Sequence, residues 1–156
     1  MIEIQKLLDK YGESHLNPTN KLIHWVCVPA ILFSLIGLLK CIPFFVERDF
    51  MLNWAALVLI GALLYYLRLS IPMFLGFVVV ALLVLYANQK ILAAMDGSYS
   101  RLALFSISVF VVAWIGQFIG HKIEGKKPSF IDDLQFLLIG PAWLMHFIFK
   151  KVGIQY

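Results

Sequence analysis

Four histidines, His15, His24, His121 and His146, are the side chains of this sequence best suited to chemistry near neutral pH. An imidazole can act as acid–base, bond a lipid headgroup or bind a metal, and its neighbours decide which. Asn20 and His24 are four residues apart and share a helix face. Gln117, His121 and Glu124 follow one another at spacings of four and three, again on one face. Histidines with a carboxylate in reach form the ligand set of non-haem Fe(II) oxygenases. Zinc suits the same donors. The plain alternative is that these rings hydrogen-bond headgroups at a membrane interface.

The chain that must position them is unusually apolar. Of 156 residues, 62% are hydrophobic and 14% charged, against about 45–50% and about 25% in soluble domains. Mean hydropathy is +0.87. A soluble fold of this size could not bury so much apolar surface, and a disordered chain needs the opposite composition. The expected fold is all-α, a polytopic membrane helix bundle forming a single integral-membrane domain. The net charge of +4 is mild. Without a basic stripe interleaved with aromatics, nucleic acid is not an expected partner.

Residues 1–13 carry Ile4, Leu7, Leu8 and Tyr11 at helical spacing, which predicts an amphipathic helix on the membrane surface. Its acidic residues set it apart from a signal peptide. Asn17-Pro18 reads as an N-cap followed by proline at the first helical position. Membrane spans are expected over about 22–39, with a kink at Pro29, and over 50–67, 71–87 and 102–120. The stretch 88–101 reads as a loop turning at Asp96-Gly97. The last apolar run, 134–149, is short for a crossing and has Gly140-Pro141 in its middle. It reads as a broken or re-entrant C-terminal membrane segment, making four transmembrane helices plus one partial element.

With four spans, the start of the first and the end of the fourth lie on one side. His15, His24 and His121 then share one depth, and a break at Gly140-Pro141 would return His146 to them. Seven Lys and Arg flank that side against four on the other, which points it to the cytosol. Lys122, Lys126 and Lys127 read as anchors of that orientation, with a carboxylate-holding role as the alternative. Trp25, Trp54, Trp114 and Trp143 read as interface or bundle residues, and Asp132 and Asp133 as a helix N-terminal charge pair. Cys27 and Cys41, roughly 21 Å apart on one helix, read as unpaired apolar fillers.

Three stretches add a resemblance: Tyr11–Pro29 (YGESHLNPTNKLIHWVCVP), Gln117–Phe130 (QFIGHKIEGKKPSF) and Leu137–Trp143 (LLIGPAW). In that order, with the intervening apolar spans, they resemble the membrane-bound 2-hydroxy fatty acid dioxygenases of fatty acid α-oxidation. The resemblance covers essentially the whole chain. It implies Fe(II), O2 and a long-chain 2-hydroxy fatty acid, with loss of one carbon as CO2. It carries the family's histidines onto His15, His24 and His121, with Glu124 beside the last. His146 lies outside the matched stretches and enters as a further candidate ligand. Asn20 and Gln117 would orient ligands or the substrate hydroxyl. A bacterial inner membrane is the expected setting, or the endoplasmic reticulum in a eukaryote. Two other classes remain open: a haem-binding bundle, and a non-catalytic transport or structural membrane protein.

Overall fold

A computed structural model of the chain describes residues 2–125 and 130–156. The described residues form six helices and no strand: α1 (Ile2–Gly12), α2 (Pro18–Cys41), α3 (Trp54–Leu69), α4 (Ile71–Ala94), α5 (Tyr99–Glu124) and α6 (Phe130–Val152). Helices α2, α4 and α5 are long and apolar enough to cross a membrane, and α3 is a shorter apolar helix.

Local chemistry explains where the helices begin and end. Asn17 caps α2, its Oδ1 accepting from the backbone N–H of Thr19 at 2.9 Å and Asn20 at 3.4 Å, with Pro18 following at the start of the helix. Pro29 lies within α2 without ending it. Ser70 closes α3 and caps α4, so the two are joined by a single residue. Helix α5 stops at Gly125, which takes the left-handed conformation at φ 73° that costs glycine nothing.

Two expectations on helix extent change. The presumed loop 88–101 is helical as far as Ala94, and only then turns, through Asp96 (φ 55°) and Gly97 (φ 72°). Asn88 is the reason: it is buried, and its Nδ2 donates to Phe33 O on α2 and Val84 O on its own helix. A polar side chain that binds helix backbones does not interrupt the helix. The expected break at Gly140-Pro141 is also absent, since α6 continues through Pro141. Proline withholds an N–H from the carbonyl four residues back and crowds the carbonyls of that turn. Nearby, Tyr66 Oη of α3 donates to Leu138 O at 2.6 Å, supplying a donor from a neighbouring helix.

Helices α2 and α5 pack against each other along small residues. A Cβ at Gly120 would run into Asn20, one at Gly116 into Cys27 and one at Gly37 into Ser106. Positions rise on α2 as they fall on α5, so the pair is antiparallel, and its close approach rests on these glycines. That register sets the start of α2 against the end of α5. Cys27 and Cys41 are both free, as expected.

Helix α1 does not lie with its apolar side in lipid. Ile4, Leu8 and Tyr11 are buried in one core cluster with Ile139, Ala142 and Trp143 of α6. A second cluster at the other end of the bundle joins Ile36, Ala55, Leu59, Ala81 and Leu85.

Candidate metal centre

Each of two histidines is fixed by the residue four places before it. His15, on the linker after α1, is 2% exposed, and its Nδ1 lies 2.7 Å from Tyr11 O. His24, in the second turn of α2, is 1% exposed, with Nδ1 2.9 Å from Asn20 O. A carbonyl only accepts, so in both rings Nδ1 is the donor and Nε2 keeps its lone pair. Such a bond to the far ring nitrogen is what holds the tautomer and aim of a metal-binding imidazole.

The rings converge. His15 and His24 have centroids 4.2 Å apart, and His121 lies 5.7 Å from the first and 5.1 Å from the second. One nitrogen from each ring lies within 4.8 Å of the other two. His15 Nε2 is buried without a hydrogen-bond partner. An imidazole nitrogen left so is costly unless something else binds it. A cation does, and three imidazoles suit a divalent transition metal. Burial pushes the His15 pKa from its ordinary 6.5 down to about 4, opposed by the Tyr11 carbonyl bond, while the nearby His121 adds to the fall. The ring is therefore uncharged and ready to ligate at neutral pH.

The other predicted residues take different places. Glu124 does not join the cluster. Its Oε1 accepts from the Leu16 N–H at 2.8 Å, while Oε2 accepts from the Asn17 N–H at 3.0 Å and Asn20 Nδ2 at 2.9 Å. The carboxylate is thus spent on the linker that carries His15. Asn20 completes this clip, since its Nδ2 also reaches Ser14 O and its backbone carbonyl holds His24. Gln117 is buried and lies beside the His24 ring. His146, expected with the others, is elsewhere: its Nδ1 pairs with Tyr156 Oη, and its ring packs on Phe147 and Tyr156. With α6 unbroken at Pro141, nothing turns His146 back toward the cluster. Lys126 and Lys127 lie outside the described residues.

Two participants were not singled out from sequence. Tyr11 stacks on His15 at 4.2 Å and 14°, and Trp143 packs on both, 5.5 Å from Tyr11 and 5.2 Å from His15. The available signal was the four-residue step from Tyr11 to His15, which repeats that from Asn20 to His24.

A family model for the 2-hydroxy-palmitic acid dioxygenase Mpo1-like proteins matches residues 1–152. The chain belongs to the Mpo1-like family. Within it, 2-hydroxy-palmitic acid dioxygenase MPO1 of Saccharomyces cerevisiae is 31% identical over 153 residues, covering 96% of this chain and 82% of the yeast protein. No solved structure matches. The Mpo1-like match includes all three clustered histidines, their backbone holders and Glu124.

Proposed function

We propose that the chain is an Fe(II)-dependent dioxygenase that shortens a long-chain 2-hydroxy fatty acid by one carbon. The reaction is R-CH(OH)-COOH + O2 → R-COOH + CO2 + H2O. It balances without a further reductant, because the four electrons given up by the substrate reduce one O2. Membership of the Mpo1-like family supports the substrate class. The observation that carries the metal reading is the convergence of three imidazoles, two of them buried and one of those with an unpartnered Nε2.

Fe(II) bound by His15, His24 and His121 would supply the redox chemistry and a seat for the substrate's carboxylate and hydroxyl. The protein's own groups do the rest. The carbonyls of Tyr11 and Asn20 keep a proton on each Nδ1, which turns the lone pair of each ring to Nε2. Gln117, beside the His24 ring on α5, would orient it. Glu124 and Asn20 clip the linker at residues 16–17, which holds His15 against His24. Trp143 and Tyr11 cover the His15 side and keep bulk water from it.

The same reading sets α2 to α5 across a bilayer, with α6 as a further membrane segment and the histidines at the cytosolic face. The apolar lengths of α2, α4 and α5 support it.

The decisive experiment loads the detergent-purified protein with Fe(II) under anaerobic conditions, adds 2-hydroxypalmitate and then O2. Mass spectrometry should find pentadecanoate, dependent on both iron and oxygen. No shortened acid, from protein that has bound iron, overturns the reading.

A further inference from the structure

Beyond the histidines the bundle contains a groove of about 390 Å³, its open side included, between α2, α3, α4 and α6. Leu32, Ala62, Val80, Val84 and Leu138 are among its walls, and Tyr66 is the one lining residue with a polar side chain. That hydroxyl is committed to Leu138 O. The groove therefore offers hydrocarbon contact and no group to bind a polar ligand. At one end its walls Leu59 and Ala81 belong to the cluster around Ile36 and Ala55.

Two helices lead from the histidines to this groove. On α2, His24, Val28 and Leu32 follow at four-residue steps, a rise of about 12 Å from ring to groove wall. On α6, Trp143 touches His15, Gly140 sits against Tyr11 and Val28, and Leu138 lines the groove. The seam between Val28 and Gly140 separates site from groove by about one helical turn. An extended chain starting at the histidines reaches Leu32 after roughly ten carbons, at roughly 1.2 Å per bond.

Resting on the dioxygenase reading, we infer that the groove receives the distal hydrocarbon of the 2-hydroxy acid and that its walls select chain length. Ala62 and Ala81 are the two smallest lining residues, and Ala62 is the one outside the packed cluster at the groove's end. It is half-buried and lines the groove among larger apolar neighbours. A phenylalanine there occupies the space the distal carbons would use.

The test uses the full-length, iron-loaded protein in phosphatidylcholine nanodiscs, with 2-hydroxyoctanoate and 2-hydroxypalmitate as paired substrates. A62F should lower the ratio of kcat/KM for the long acid to that for the short one by about tenfold or more. The milder A62L should move it the same way. L83F, on an exposed position of α4 away from the groove, should leave the ratio where it was. In parallel, 2-hydroxypalmitate bearing a terminal diazirine is cross-linked to the metal-free wild type. Adducts should map to the groove walls on α3 and α4 and be competed by 2-hydroxypalmitate. An unchanged ratio in both Ala62 variants overturns the inference. So does cross-linking outside the groove, or groove labelling that a diazirine phosphatidylcholine reproduces and the hydroxy acid does not compete, which would assign the space to bilayer lipid. If the wild type turns over neither acid, the reaction reading fails, and the cross-link still decides whether the chain occupies the groove.

Discussion

Asn20 and Glu124 are hydrogen-bonded, Nδ2 to Oε2 at 2.9 Å, and that contact ties the start of α2 to the end of α5. The same carboxylate takes the Leu16 and Asn17 N–H groups, so the pair fixes the linker bearing His15. In E124Q the amide puts a donor where one of these donors now points. Metal affinity should fall about 10–100-fold, the range seen when an outer-shell partner is lost, while the bound metal keeps its stoichiometry. Titration of the metal-free protein with Co(II), followed by its visible absorption, reads this directly. An affinity equal to wild type would mean that Glu124 does not position the site.

The histidines themselves should separate cleanly. H15A, H24A and H121A are each expected to lose most bound iron and turnover, as measured by elemental analysis of purified protein. H146A should keep its iron, because His146 pairs with Tyr156 instead. Loss of metal in H146A would return that residue to the centre.

The low pKa of His15 makes a statement about pH. An unfolded His15 takes up a proton near 6.5 and the folded one near 4. Between those values the unfolded state binds more protons, so metal-free protein is destabilised as pH falls from 6.5 towards 4. Above 6.5 the contribution is constant. The Tm of the metal-free protein should therefore drop between pH 7 and pH 4.5, and drop less in H15Q. Equal slopes for the two would place the titration elsewhere.

Two glycines give a matched pair for the helix packing. G120A introduces a Cβ against Asn20 and should cost about 1–3 kcal/mol by overpacking, weakening metal binding as Asn20 is displaced. G61A meets nothing within 4 Å, and alanine in mid-helix should add up to about 1 kcal/mol of stability. Thermal melts of both variants in one detergent make the comparison. Similar behaviour of the two would refute the antiparallel α2·α5 register.

Much of this was readable in advance. The apolar composition and the Asn17-Pro18 and Asp96-Gly97 signals are local, and local signals survive folding. The meeting of His15, His24 and His121 followed from counting helices. For Glu124 the residue type leaves a ligand role and a positioning role both open, and only the fold brings the Leu16 and Asn17 N–H groups to its carboxylate. His146 depended on whether Pro141 breaks its helix. No local signal shows that α6 runs on through Pro141. Lys40, counted from sequence among flanking charges, is fully buried. The segment 42–53 folds back on the end of α2, where Arg48 donates to Cys41 O, and no pattern in the residues announced it.

The clip between α5 and the linker joins residues 104 to 108 positions apart. During synthesis, His15 and His24 therefore emerge long before the segment that supplies Gln117, His121 and Glu124. A nascent chain holds only two of the three imidazoles, on a linker nothing yet restrains, and gives a passing cation a poor seat. The complete binding face exists once α5 has come back alongside α2. On the proposed metal reading, capture is a late event in the life of the chain, and retention of the ion reports that the bundle has closed.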